Sequence, residues 1–289
     1  MKKQHKEFLQ AGAAHASGIT LATSGRIFDG MNGGKSGYRA GSSLDFMEHR
    51  NYAPGDDPRL LDWNVYARTE KLTLKMFREE INPKLDLLFD GSLSMDLPES
   101  DKAAASLGIL GLLTTAAQNG QFSTRCQVAG SRLMPIINAE KPVHAWDGLE
   151  FDGNSGMFDI VEHYPLQLRY HSIRVVISDL LWPGSPEHFI KKIAMHAAAV
   201  VVVQVLGQAD INPPASGTVT LEDSEGGQRE RLFVDGAALA KYRQTLARLQ
   251  EEWEHACREV GAEFMTINAE DLLETWDLTP FAAGGVLQL

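Results

Sequence analysis

Six short apolar runs, at residues 85–89, 123–128, 133–137, 174–178, 199–206 and 263–267, alternate with helical patterns at 102–118, 157–163, 186–197 and 237–260. Apolar runs of this length suit strands buried on both faces, and a helix between two of them carries the chain back so that they pair in parallel. The alternation predicts an α/β domain built on a doubly wound, mostly parallel sheet with right-handed crossovers. Residues 1–83 read differently, being polar, glycine-rich in the middle and poor in long periodic runs. The chain is therefore expected to divide near Pro83 into an N-terminal arm, 1–83, and the α/β domain, 84–289. Inside the domain, 218–222 and 229–234 flank a Ser-Glu-Gly-Gly turn and are expected to form a small hairpin at a sheet edge. Leu239, Tyr242, Leu246, Leu249, Trp253, Ala256 and Val260 form a stripe along the last long helix. The stripe suits either a partner helix or the sheet, and the length of the helix favours the sheet.

Composition excludes several classes of partner. Against 38 Asp+Glu stand 27 Lys+Arg, and the resulting net charge of −11 opposes non-specific binding to nucleic acid or anionic lipid. Cys126 and Cys257 are far apart and offer no zinc spacing, so both are expected to be buried thiols of a reduced compartment. No apolar stretch reaches the ~18 residues of a membrane span. A cytoplasmic protein without direct membrane insertion is expected.

The chemistry-bearing residues cluster at strand ends. Asp90-Gly91-Ser92-Leu93-Ser94 follows the first apolar run and sets a carboxylate and two hydroxyls in a strand-to-helix loop. Such loops form the ligand-binding edge of open α/β sheets, and hard cations such as Mg²⁺ prefer oxygen donors of this kind. Asp179 ends a second run, and Ser155 sits in the loop Gly153-Asn154-Ser155-Gly156 ahead of a helix. The competing reading is that both aspartates cap helices and the serines satisfy turn amides.

Other motifs fall short. Gly33-Gly34-Lys35-Ser36 resembles the end of a phosphate loop, but Asp29 stands where its first glycine belongs, and no strand or helix frames it. An aspartyl phosphatase needs a second acid two residues after its nucleophile, and Ser92 holds that place. There is no nucleophile elbow and no clustered histidine. The stretch from Arg50 to Arg68 is dense in acids, arginines and aromatics around a Pro54-Gly55 turn. Arg50, Tyr52, Asp57, Arg59, Asp62, Trp63 and Arg68 either lock the arm on the sheet through ion pairs or face a partner.

Together, Gly41-Ser42-Ser43-Leu44-Asp45-Phe46, the pattern Arg50-x-Tyr52-x-x-Gly55-Asp56-Asp57-x-Arg59-x-x-Asp62-Trp63-x-x-x-Ala67-Arg68, and Asp90-x-Ser92-x-Ser94-Met95 resemble the bacterial domain of unknown function 58 family. The resemblance runs from about Gly30 to the last strand. Its members look like von Willebrand factor A domains with a family-specific arm, and they carry a metal-ion-dependent adhesion site completed by an acidic group of the partner. Carried over residue by residue, the resemblance implies that Asp90, Ser92, Ser94 and Asp179 hold Mg²⁺, with Mn²⁺ as the alternative. Ser155 or Asn154 stands where such sites have Thr. It also implies a non-enzymatic protein-binding adaptor that works with a MoxR-type AAA+ ATPase on a client protein. The alternatives are a metal-dependent hydrolase acting on phosphoesters and a purely structural scaffold.

Overall fold

The computed structural model describes residues 1–22, 46–77, 83–213, 217–222 and 229–288. The phosphate-loop-like segment at 33–36, residues 41–45 of the family pattern and the turn of the hairpin lie outside them. The chain separates into two units, Met1–Met31 with Pro83–Leu289, and Asn32–Asn82. The smaller unit pairs β2 (Phe46–Asn51) antiparallel with β3 (Thr73–Phe77) around the helix α2 (Trp63–Thr69).

In the larger unit, α1 (Lys3–Ala14) and β1 (Thr20–Leu21) precede the apolar runs, which become strands close to their expected bounds. These are β4 (Lys84–Asp90), β5 (Ser123–Ala129), β6 (Leu133–Pro135), β7 (Ile173–Ser178), β8 (Ala199–Leu206) and β11 (Glu263–Asn268). They form one sheet in the order β11-β8-β7-β4-β5-β6, parallel except for β6 at one edge. From β4 the chain passes to β5 on one side and later returns to β7 on the other, so the carboxyl ends of β4 and β7 adjoin where the strand order reverses. That reversal is where open α/β sheets bind ligands.

Side chains alternate between two apolar layers. Leu85, Leu87 and Phe89 of β4 face α3 (Lys102–Asn119) together with Val175, Ile177, Val201 and Val203. Leu88, Val176 and Val202 face the other layer, to which α4 (Met157–His163), α5 (Pro186–Ala194) and α7 (Gly236–Val260) contribute, while the one-turn α6 (Gln208–Ile211) follows β8. Helices thus cover both faces, which is why the strands read as continuous apolar runs. Cys126 and Cys257 are free and buried, and burial pushes the Cys257 thiol up to about 12 and raises Cys126 as well.

Three expectations require correction. The first residues are not part of a separate arm: Leu9 of α1 is fully buried against α3, and β1 pairs with β12 (Leu287–Gln288). Their signal in the sequence is weak because α1 packs through small residues rather than a stripe of large ones. A Cβ on Gly12 would lie 1.8 Å from the Gly108 carbonyl oxygen, and one on Gly111 2.1 Å from that of Leu9. Second, β9 (Gly217–Glu222) and β10 (Arg229–Val234) do form the hairpin, but as a two-stranded sheet of their own. Third, the stripe on α7 is fully covered only in its second half, at Trp253 and Ala256, with Leu249 and Val260 partly buried beside them; Tyr242 is 38% exposed.

Candidate metal centre at the carboxyl ends of two strands

Asp90 is the last residue of β4 and is fully buried. Its Oδ1 accepts the Ser92 amide at 3.0 Å, and its Oδ2 accepts the Ser178 hydroxyl at 2.5 Å. The Ser178 hydroxyl is itself held by the Leu180 amide (3.0 Å) and the Trp182 indole N–H (3.3 Å), which leaves its proton for Asp90. Ser92 is buried, and its Oγ lies 3.0 Å from that of Ser94. Asp179 follows β7, the strand paired with β4, and is also buried. Burial, and next the Asp179 carboxylate, push the Asp90 carboxyl up to about 6. Two carboxylates share one desolvated region, and Asp90 lacks enough positive charge to stay ionised easily.

Leu180, next in sequence, has the left-handed backbone φ of 57° and is fully buried. A residue with a Cβ is held there by its surroundings at some cost. The third loop is tied in through its backbone. Gly153 bridges to Ser92, the Leu93 amide donates to the Gly153 carbonyl at 3.0 Å, and the Gly153 amide donates to Gly91. At the other end of the loop, a Cβ on Gly156 would come within 2.4 Å of Trp182 Cβ. Ser155 is therefore bracketed between the Asp90 loop and the Asp179 loop, with no hydrogen bond to its hydroxyl among the described residues.

Two members of the site are absent from the sequence-derived set. Ser178 was legible only as the residue before Asp179. Lys102 opens α3 and is buried, with its Nζ 2.9 Å from Asp179 Oδ2 and 3.3 Å from Asp210 Oδ2. Burial opposes its charge, but Asp179 and then Asp210 outweigh that and hold its pKa above the usual lysine value. Its signal in the sequence was a single cation at the head of an otherwise apolar helix.

The residues at hand fit a hard divalent cation. The donors are all oxygens, two from carboxylates and the others from hydroxyls, and Asp90 is a buried carboxylate short of positive charge. Among the described residues no group of three or more His, Cys, Asp or Glu is arranged around a point, so the hydroxyls are essential to any such site.

The Arg50–Arg68 stretch has a different use. Asp62 caps α2, its carboxylate accepting the Asn64 and Val65 amides and lying 2.9 Å from His49 Nε2. Asp57 caps a short 3-10 turn through the Arg59 amide. Arg50 pairs with Asp56 at 2.6 Å rather than with Asp57, and Arg68 Nε donates to the Asn64 carbonyl. Each of these contacts lies within the smaller unit. Tyr52 is half-buried and its amide donates to Leu72, whereas Arg59 is exposed and Trp63 is 61% exposed beside Tyr66.

A family described as "Protein of unknown function DUF58" matches residues 48–256. The chain belongs to the DUF58 family. Among curated proteins, this DUF58 chain is 23% identical over 274 residues to the uncharacterized protein Rv1480 of Mycobacterium tuberculosis, an alignment covering 89% of this chain and 85% of the relative. The uncharacterized protein Mb1516 of Mycobacterium bovis matches to the same extent. Among solved structures, a conserved hypothetical protein BatB from Bacteroides thetaiotaomicron aligns at a TM-score of 0.34 and 10% identity, covering 70% of this chain and 98% of that one. An aerotolerance-related membrane protein from Bacteroides fragilis aligns at 0.37 and 12%, covering 70% and 99%. Likenesses this distant define no common fold. No helix among the described residues is long and apolar enough to cross a membrane.

Proposed function

We propose that this chain is a non-enzymatic adaptor that binds another protein through a divalent cation, Mg²⁺ or Mn²⁺. Asp90, Ser92, Ser94 and Asp179 would hold the cation, and Ser155 would complete the set. One observation carries the reading: oxygen donors gather at the reversal of strand order, around a buried carboxyl pushed up to about 6. A bound cation would supply the positive charge that captures an acidic side chain of the partner. The protein's own residues orient the donors. The Ser178 hydroxyl and Ser92 amide aim the Asp90 carboxylate, and the backbone ties of Gly153 keep the Ser155 loop beside it. A von Willebrand factor A-like architecture, a MoxR-type AAA+ ATPase with its client as partner, and a cytoplasmic location belong to the same proposal and rest on the family resemblance.

The test is an affinity capture from the native cytosol with wild type and Asp90→Ala, each in Mg²⁺ and in EDTA, read by mass spectrometry. Recovery of an AAA+ ATPase by wild type in Mg²⁺ alone is expected. Equal recovery in EDTA, or by Asp90→Ala, would remove the metal bridge.

The same raised Asp90 carboxyl supports a second reading, since a carboxyl titrating near neutrality suits proton transfer in a phosphoester hydrolase. Turnover of generic phosphoesters with Mg²⁺ or Mn²⁺ that disappears in Asp90→Ala would favour it over the adaptor.

A further inference from the structure

Asp179 already has a cation. Lys102 Nζ sits 2.9 Å from its Oδ2, and the lysine side chain is only 3% exposed. The other oxygen, Oδ1, accepts the Leu181 amide at 3.1 Å, and the Asp179 carbonyl accepts from Gln204 at 3.0 Å. The carboxylate is therefore held in place by the protein alone. Lys102 is anchored from its other side by Asp210, whose Oδ2 also accepts the Gly207 amide at 2.9 Å. No comparable cation touches Asp90 among its hydrogen-bond partners, which are the Ser178 hydroxyl and the Ser92 amide.

We infer that Lys102 is a tethered competitor for the divalent cation, and that by holding Asp179 Oδ2 it keeps the affinity of the site for free metal low. This rests on the metal-site reading above. A metal approaching Asp90 and Asp179 meets a pair whose charge has been cut by one, and it is repelled by an ammonium that burial leaves poorly screened. It must share Asp179 with Lys102 or displace Lys102 towards Asp210. A site tuned in this way holds metal poorly by itself and gains most from an extra carboxylate brought by a partner. The arrangement also explains why a lysine is buried at the head of α3, where an apolar residue would continue the helix face at no desolvation cost.

The decisive measurement is calorimetric titration of the full chain with Mg²⁺ and with Mn²⁺, in wild type, Lys102→Gln, Lys102→Met, Lys102→Arg and Asp90→Ala. Lys102→Gln keeps a hydrogen-bond donor for Asp179 and removes only the charge, so it serves should Lys102→Met fail to fold; circular dichroism establishes folding. Both charge-removing variants are expected to bind metal about 10-fold more tightly than wild type or better. Lys102→Arg should stay at the wild-type affinity, and Asp90→Ala should lose binding. Unchanged or weaker binding in folded Lys102→Gln, with wild type binding and Asp90→Ala silent, overturns the inference and leaves the metal site standing. Equal tightening in Lys102→Arg would assign the effect to packing and also overturn it. Absence of binding in wild type, Lys102→Gln and Lys102→Met overturns the inference and the metal reading together, whereas binding by the charge-removing variants alone supports both.

Discussion

At Asp90 a carboxylate is buried beside a second one, and its pKa is pushed up to about 6 by burial first and Asp179 next. The folded state then holds a proton that the unfolded state has released across the interval from the ordinary carboxylate range to about pH 6. This stabilisation is complete at low pH and lost as pH rises, leaving a cost of about 3 kcal/mol at neutrality. In EDTA, melting temperature should therefore fall between about pH 4 and 6.5, and Asp90→Asn should remove most of that slope and melt higher than wild type at pH 7. A wild-type slope retained in Asp90→Asn would contradict the assignment. His5 works in the opposite sense. Burial lowers its pKa, so its contribution fades as pH drops through the free histidine value, and the two proteins must be compared at each pH. The sequence already marked Asp90, Ser92, Ser94 and Asp179, because acids and hydroxyls at strand ends are conspicuous against apolar runs. Ser178 and Lys102 were less legible: what a strand-terminal hydroxyl or a helix-initial lysine touches is decided by neighbours 88 and 77 residues away.

Among the elements, the contact of α1 with α3 is the most exacting. Helix propensity alone would favour alanine over glycine by about 1 kcal/mol at Gly12 or Gly111. The space is absent, since each Cβ would meet backbone oxygen at about 2 Å, and backbone cannot swing aside. Gly12→Ala and Gly111→Ala should each cost about 3 kcal/mol or more, measured by denaturant unfolding. Gly236→Ala, at the start of α7 where a Cβ would meet nothing within 4 Å, should be neutral or stabilising in the same assay. On the opposite face, Trp253 packs edge-on to Trp182 and Phe189, with ring centres 5.4 and 5.7 Å apart, and is fully buried. Trp253→Ala should cost about 3–5 kcal/mol, and the loss should reach the site, because Trp182 also donates to Ser178. The stripe on α7 was legible as a period, but not where along the helix burial stops.

For the whole molecule, the N-terminal segment closes the α/β unit. Leu9, Ala16 and Leu21 join the core layer of α3, Lys2 pairs with Asp96 at 2.7 Å, and β1 pairs with β12. Deleting residues 1–22 should expose one face of α3 and cost on the order of 5 kcal/mol, seen as loss of soluble expression or a large fall in melting temperature. A truncated chain that melts like the full one would show the segment to be dispensable. The sequence by itself determined the class of fold, the strands and helices of the central sheet, and the strand ends at which acids and hydroxyls gather. Those follow from local rules: apolar runs too short for helices, helical periods between them, and polar residues at turns. The tertiary structure alone decided that α1 joins the α/β unit and that Lys102 lies on Asp179. Each depends on which distant backbone comes within a few ångströms, and neither periodicity nor composition records such an approach.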